Sequence, residues 1–356
     1  MKLPPVTLVI LNYNGIRYIK NCLDSVLATE YPNFKITVID NASTDGSAEF
    51  IEENYPEIKL MKFQKNYGFA KAYNLALKSI NSKYMALLNN DIEVEPDWLE
   101  KLVLHMEKDE KVAAANPKML FIHDRKRINA SGGCCDIYGV GWNRGNGEID
   151  RGQYDKVQEV FYANGAAMLI RERAWKEVGP FDERYFLYGE DLDWCWRAQL
   201  KGYKVLYVPE AKIYHYWRAS SGTIISLLEK HWTASLIKNY SLKTLMMLMP
   251  RFIVLKILKA LWLIKNGETL NEKTAVIESF LWNMKSLRGT LEKRKKIQLE
   301  RKITDEQLME KMYRGSFELL LWRGLIRHPI LIKNIRKMKR GKSYGDQRKQ
   351  QNSDFK

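Results

Sequence analysis

Cysteine is scarce in this chain. Four of 356 residues are Cys (Cys22, Cys134, Cys135, Cys195), with no CxxC pair and no His at zinc-finger spacing. That pattern argues against a disulfide scaffold and against a structural zinc site. Cys134 and Cys135 are adjacent and cannot readily bridge each other, so free buried thiols in a reducing compartment are expected. A clean membrane-spanning run is also missing: the longest apolar stretch, residues 242–264, is broken by Lys243, Arg251, Lys256 and Lys259. No signal-peptide pattern precedes the first strand-like run, so a cytoplasmic location is expected and the three Asn-X-Ser sequons read as chance matches. Glycine-rich phosphate loops are absent as well. No GxGxxG follows the first strand-like run, and Gly341-Lys342-Ser343 lacks the strand and the leading Gly of a P-loop, Arg336 standing in its place.

What is present is a globular composition: 46% hydrophobic residues, 28% charged, and 19 Tyr, 12 Phe and 10 Trp for a core. The length exceeds one compact core, so two parts are expected. Charge divides them. Residues 1–217 hold 28 Lys+Arg against 30 Asp+Glu, whereas residues 218–356 hold 30 against 12. The whole excess of +16 therefore lies in the second part, which should face something anionic.

The first part alternates strand and helix patterns. Val6–Leu11, Phe34–Asp40, Ile58–Phe63 and Tyr84–Leu88 read as strands; Ile16–Leu27, Thr44–Asn54, Phe69–Ile80 and Pro96–His105 read as helices. Ser43 is a candidate N-cap for the second helix, and Pro96 suits the first position of the fourth. This order predicts a parallel sheet covered by helices on both faces. Further on, Val112–Ala115, Val157–Tyr162, Ala166–Ile170, Lys204–Val208 and Lys212–Tyr216 read as strands, Leu192–Leu200 as a helix and Ser131–Gly152 as a long loop. After Trp217 the pattern is helical almost to the end.

Open parallel sheets bind ligands at the carboxyl ends of their strands. Asn12-Tyr-Asn14-Gly15, Asp40-Asn-Ala-Ser-Thr-Asp45 and Asn89-Asn90-Asp91 all sit there. Asp91 suits a hard divalent cation that takes one or two protein carboxylates and completes its shell from a diphosphate; a capping turn before Pro96 is the alternative. Glu190, Asp191 and Asp193 open a helix, where acids favour the helix dipole but could also supply a general base. His215, among aromatics at a strand end, reads as a core histidine or a ligand.

Together these segments resemble the family 2 glycosyltransferases of GT-A fold. The resemblance covers roughly residues 5–217 and runs through Val-Ile-Leu-Asn12-Tyr-Asn-Gly, Val-Ile-Asp40-Asn-Ala-Ser-Thr-Asp-Gly-Ser, Asn66-Tyr-Gly-Phe-Ala-Lys71-Ala-Tyr-Asn74, Leu-Leu-Asn89-Asn-Asp91, Phe181-Asp-Glu, Gly189-Glu-Asp191-Leu-Asp and His215. The subtype looks most like rhamnosyltransferases that build surface polysaccharides. The resemblance implies a Rossmann-like, mostly parallel α/β sheet with flanking helices (residues 1–217) plus a basic helical extension (residues 218–356). It implies an inverting transfer of a sugar, with rhamnose the one the subtype suggests, from a nucleotide-sugar donor to a polyprenyl-linked or saccharide acceptor. By resemblance Asp191 is the catalytic base, and Asn12, Asn14, Asp40, Asn66, Lys71 and Asn89 line the donor-nucleotide site. Asp91 and His215 hold Mg²⁺ or Mn²⁺, with Asn89 where the family's DxD motif has its first acid. Asn164 is a candidate acceptor contact, and Glu190, Trp194 and Arg197 are candidate supports of the catalytic helix.

Two other readings stay open on the residues alone: a sugar-nucleotide nucleotidyltransferase, and a non-catalytic saccharide- or membrane-binding member of the family. For the basic part, Thr244–Ile264 mixes Leu245, Met246, Leu248, Phe252, Leu255, Leu258 and Trp262 with Lys256, Lys259 and Lys265, and Lys293–Lys296 and Lys333–Arg340 add basic clusters. An amphipathic cationic helix suits the interface of an anionic membrane, here the inner face of the cell membrane. A soluble helical appendage or a dimer interface would use the same pattern. Nucleic acid is not expected as a partner, because no zinc finger, RRM signature or obvious helix-turn-helix is present.

Overall fold

The computed structural model describes residues 3–216, 223–267 and 269–322. Strand β1 (Val6–Asn12), helix α1 (Ile19–Leu27), β2 (Phe34–Asp40), α2 (Ser47–Asn54), β3 (Lys59–Lys62), α3 (Gly68–Leu77) and β4 (Tyr84–Asn89) follow the alternation their side-chain patterns dictate. Then come β5 (Ile92–Val94), α4 (Trp98–Glu107), β6 (Val112–Phe121), β7 (Asp124–Ala130), β8 (Gly133–Cys135), β9 (Gly141–Asn143), β10 (Gln158–Glu159), β11 (Ala167–Arg171), α5 (Glu172–Val178), α6 (Glu190–Leu200) and β12 (Lys204–His215). Helices α7 (Thr223–Asn239), α8 (Leu242–Asn266), α9 (Leu270–Lys285), α10 (Leu287–Glu300), α11 (Asp305–Met309) and α12 (Phe317–Trp322) complete the described chain.

One ten-stranded sheet runs β10-β12-β6-β11-β4-β1-β2-β3, with β5 added to β12 and β7 to β6. Pairing is parallel from β4 through β1 and β2 to β3, and again between β6 and β12; β11 is antiparallel to both of its neighbours. Because side chains alternate across a strand, Leu8 and Ile10 pack with α1 and α4, while Val9 packs on the opposite face with Phe69, Ala72 and Tyr73 of α3. Burial on both faces explains why β1 and β4 are continuous apolar runs.

Several expectations are corrected. Ser43 does not cap α2: its hydroxyl accepts from the Asn14 N–H and from Asn12 Nδ2, and the helix begins at Ser47 after Gly46 in the left-handed region (φ 81°). Pro96 stands two residues ahead of α4, where its carbonyl accepts the Glu30 N–H. The loop expected over 131–152 contains the β8–β9 hairpin, because Gly133, Gly141 and their neighbours pair across a short turn. Only Gln158–Glu159 of the 157–162 run joins the main sheet, and Tyr162 bridges to Gly133 instead. The two short strands expected at 204–208 and 212–216 are one strand, β12, whose register against β6 shifts between Val208 and Lys212.

The helices after β12 share a core with the sheet's helical face. Leu236, Tyr240, Leu245, Leu248, Phe252, Leu255, Leu308 and Met312 belong to the same buried cluster as Trp194 and Trp196 of α6. Polar contacts reinforce this. Lys238 of α7, 1% exposed, lies 2.9 Å from the carboxylates of both Asp182 and Asp193. The basic cluster 333–340 and residues 341–343 lie outside the described residues.

Candidate active site

The turns after β1, β2 and β4 meet at one edge of the sheet, because those strands are parallel and in register: Asn12 lies opposite Asp40, and Leu11 opposite Asn89. Asn12 is fully buried and ties the turns together. Its Nδ2 donates to Asp40 Oδ1 (3.0 Å) and Ser47 Oγ (2.9 Å), and its Oδ1 accepts from Asn90 Nδ2 (2.7 Å). Gly15 is required beside this pair: an added Cβ would lie 2.0 Å from Asn90 Nδ2 and 2.3 Å from Asn12 Oδ1. Asp40 is 3% exposed, and its second oxygen accepts the Ser43 N–H at 3.1 Å. Asn14, in the left-handed region at φ 51°, accepts the Thr44 N–H at 2.8 Å. The β1 and β2 turns are thus latched to each other.

The second wall comes from the head of α3. Asn66 Oδ1 accepts from Asn41 Nδ2 (2.9 Å) and from the Gly68 N–H (2.8 Å), and Asn41 Oδ1 accepts the Tyr67 N–H at 2.9 Å. Asn41 therefore organises this wall, a role the sequence signals only by its place beside Asp40. Lys71 stands half-exposed, with Nζ 3.7 Å from Glu183 and 5.2 Å from the centre of the Tyr67 ring.

Asp91 and His215 meet although 124 positions separate them. Strand β5 pairs antiparallel with the end of β12, setting His215 opposite Ile92. His215 Nε2 lies 3.3 Å from Asp91 Oδ1 without meeting it in a hydrogen bond, and that buried oxygen has no donor. Burial acts to raise the Asp91 carboxyl, but the His215 ring, with the backbone and Asn89, outweighs it and holds the group below the usual carboxylate range. On its far side His215 Nδ1 lies 3.0 Å from Asn129 Oδ1, so the ring is held between Asn129 and Asp91. Asn129 is 1% exposed and sits on β7, a strand that no sequence pattern announces. Among the described residues no cluster of three or more His, Cys, Asp or Glu could hold a metal. A donorless carboxylate oxygen beside an imidazole fits a two-ligand support whose remaining positions a diphosphate would fill.

Asp191 sits in the first turn of α6, after Gly189 in the left-handed region (φ 88°). Its Oδ2 accepts the Gly165 N–H at 2.9 Å and its Oδ1 accepts its neighbour Leu192 N–H at 2.7 Å. Burial lifts the Asp191 carboxyl above its usual range against the pull of those N–H groups. Glu190, 4% exposed with Oε2 unpartnered, is pushed well above its usual range by burial and by the Asp191 charge. Asn164 is held in the adjoining turn: its Oδ1 accepts the Ala166 N–H at 2.9 Å, and its Nδ2 donates to Asn143 Oδ1 at 3.0 Å. Trp194 and Arg197 brace the helix from behind. Trp194 Nε1 donates to the Gly179 carbonyl, while Arg197 pairs with Asp193 and donates to the carbonyls of Val178 and Pro180.

One short path of contacts joins the two acidic groups. Asp191 accepts the Gly165 N–H, and the next residue, Ala166, accepts the Asn89 N–H at 2.9 Å, two residues before Asp91. Helix α3 closes the same crevice: the Phe69 N–H donates to the Phe186 carbonyl at 2.7 Å, just ahead of α6.

Amides and acids at parallel strand ends thus stand beside a carboxylate-headed helix, and the comparisons with known proteins place this α/β architecture among glycosyltransferases of GT-A fold. Residues 7–177 match the family model of Glycosyl transferase family 2. The match spans just under half of the chain, and through that segment the chain is similar to glycosyl transferase family 2. It is 26% identical over 237 residues to the N-acetylglucosaminyl-diphospho-decaprenol L-rhamnosyltransferase of Mycobacterium tuberculosis, covering 60% of this chain and 76% of that protein. It is 25% identical over 227 residues to the O-antigen biosynthesis protein RfbC of Myxococcus xanthus, covering 61% of this chain but only 18% of RfbC. Two solved structures share the fold at 16% identity. They are GalNAc-T7 with UDP, GalNAc and Mn²⁺ (TM-score 0.56; 82% of this chain, 57% of that one) and S. aureus TarS (TM-score 0.53; 83% and 53%).

Proposed function

We propose that this protein transfers a sugar, with rhamnose as the leading candidate, from a nucleotide-sugar donor to a hydroxyl of a polyprenyl-linked or polysaccharide acceptor, with inversion at the anomeric carbon. The observation that carries this reading is the Asp191 carboxylate, anchored by two backbone N–H groups and joined through Gly165 and Ala166 to the Asn89–Asp91 turn.

In this reading Asn12, Asn14, Asp40, Asn66, Lys71 and Asn89 frame the nucleotide. Asp91 and His215 would hold Mg²⁺ or Mn²⁺, which as a Lewis acid would supply charge stabilisation at the leaving diphosphate. Asn89 contributes an amide where a carboxylate would add charge, so the protein's share of metal binding rests on the donorless Asp91 oxygen and the His215 nitrogen. Asp191 takes the acceptor's proton as its oxygen bonds to the anomeric carbon and the bond to the diphosphate breaks. A carboxyl raised by burial lies closer to neutral pH, which suits a general base. One displacement inverts the centre, so no second carboxylate nucleophile is needed. Acceptor contacts fall to Asn164 and the β8–β9 hairpin, which adjoin Asp191. The names of the relatives, an O-antigen biosynthesis protein and a diphospho-decaprenol rhamnosyltransferase, support a lipid-linked or O-antigen-type acceptor, and the basic C-terminal part supports work at the inner face of the cell membrane.

The test is Asp191→Asn assayed with UDP-, GDP- and dTDP-sugars, with and without Mn²⁺. Transfer should fall by roughly 10²–10⁴-fold while the thermal shift induced by the matching nucleotide persists. Undiminished transfer would remove Asp191 as the base. Release of pyrophosphate from a sugar phosphate and a nucleoside triphosphate would replace the reading with nucleotidyl transfer. Nucleotide binding without transfer or hydrolysis across the panel would leave a binding protein.

A further inference from the structure

Helix α8 is apolar on two faces. One, with Leu245, Leu248, Phe252, Leu255 and Leu263, is buried against the core. The other, with Met246, Ile253, Ile257, Leu261 and Ile264, recurs at helical spacing and is exposed, Met246 to 70%. Helix α9 packs beside α8 and carries an exposed apolar row of its own, with Ile277, Phe280 (65% exposed), Leu281 and Met284. Monomeric soluble proteins rarely leave large apolar patches to water.

The cations of this region sort into two sets. Lys256 and Lys259, which the sequence places on the cationic face of α8, turn inward instead. Lys256 lies 2.7 Å and Lys259 2.5 Å from the carboxylate of Glu229, which is 1% exposed, and Lys259 also pairs with Glu318. Lys243, Arg251, Lys265 and Lys285 remain exposed along α8 and α9, and exposed Arg288 at the start of α10 pairs with Glu292 at 3.2 Å. Helix α8 carries no Asp or Glu at all. An exposed apolar stripe bordered by cations is complementary to an anionic lipid surface, whose acyl boundary takes the apolar side chains and whose headgroups meet Lys and Arg. A second copy fits less well, since it would bring two faces of the same charge together. None of the described helices is long and apolar enough to cross a membrane.

We infer that the paired α8–α9 face is the surface by which this protein lies on an anionic bilayer, with Ile253, Ile257, Phe280 and Met284 entering the headgroup–acyl boundary. This deepens the membrane component of the proposed function and rests on it.

The test uses the full chain with vesicles of phosphatidylcholine alone and with added phosphatidylglycerol, read by flotation. Binding should require the anionic lipid and fall steeply as salt shortens the screening length. The double variant Ile257→Glu/Phe280→Glu, at exposed positions, should weaken binding by roughly tenfold or more, with an unchanged circular dichroism spectrum and an unchanged nucleotide-induced thermal shift. Arg251→Gln should cost about fivefold on anionic vesicles only. No flotation, or flotation that the double variant leaves intact, would overturn the inference. So would a dimer in light scattering that the double variant converts to monomer, since a second copy would then cover the face. Vesicle binding without nucleotide binding would sink the transferase reading and leave this one standing.

Discussion

Lys238→Met removes the cation on which two buried carboxylates converge. Lys238, Asp182 and Asp193 have side chains exposed by only 1%, 2% and 0%. Breaking one buried pair by deleting a partner costs about 3–5 kcal/mol. Here neither acid is left alone. Asp182 keeps Arg184 at 2.7 Å and Lys293 at 2.5 Å, and Asp193 keeps Arg197 at 3.0 Å with Asn239 Nδ2 at 3.2 Å. The loss should therefore fall at the lower end, about 3 kcal/mol at pH 7. Burial acts to raise both carboxyls, but Lys238 and the neighbouring cations outweigh it and hold both below their usual range. A group depressed in this way contributes stability above its unfolded pKa, near 4, and loses it as pH falls. The gap between wild type and Lys238→Met should therefore narrow below about pH 4. Urea unfolding followed by tryptophan fluorescence at pH 7 and pH 3.5 measures both effects, with exposed Lys285→Met as the control. A loss below about 1 kcal/mol at pH 7, the scale of a surface pair, would refute the argument that this cluster fastens α7 to α6.

Two further outcomes follow from the same geometry. His231 is 2% exposed, stacks on Tyr185 and is lowered to about 4 by burial. The unfolded chain thus binds its proton first as pH falls, and wild type should lose up to about 3 kcal/mol between pH 6.5 and 4 that His231→Phe does not lose; thermal melts of the pair across that range decide it. Gly68 has φ 73°, and an added Cβ would lie 2.3 Å from the Phe186 carbonyl oxygen. Gly68→Ala should therefore destabilise by roughly 1–3 kcal/mol and weaken nucleotide binding, measured by denaturation and thermal shift; a neutral substitution would show that the α3–α6 approach is not needed.

The alternating core was legible in advance because both faces of a central strand are written into neighbouring residues. Phe34–Asp40 begins and ends where the apolar pattern does. The strand-end turns were legible for the same reason, since chemistry at an open parallel sheet gathers at the carboxyl ends. Strand β7 and the β8–β9 hairpin were not. Asp124–Ala130 is mostly polar, and its pairing is dictated by β6 alongside it. The merging of two expected strands into β12 depends on the length of β6, which no local pattern reveals.

By itself the chain determined its α/β class, the strand ends carrying Asn12, Asp40 and Asp91, the acid-headed helix bearing Asp191 and the basic character of its last third. Side-chain periodicity and composition are local properties, readable within a dozen residues. Only the tertiary structure decided which partners meet: His215 against Asp91 and Asn129, Asn41 against Asn66, Lys238 between Asp182 and Asp193, and Lys256 and Lys259 turned inward to Glu229 rather than outward to a membrane. Those pairings depend on strand order and helix packing, and a buried charge takes whichever opposite charge the fold brings within reach, because leaving it unpaired in the interior costs more than any preference of the local sequence.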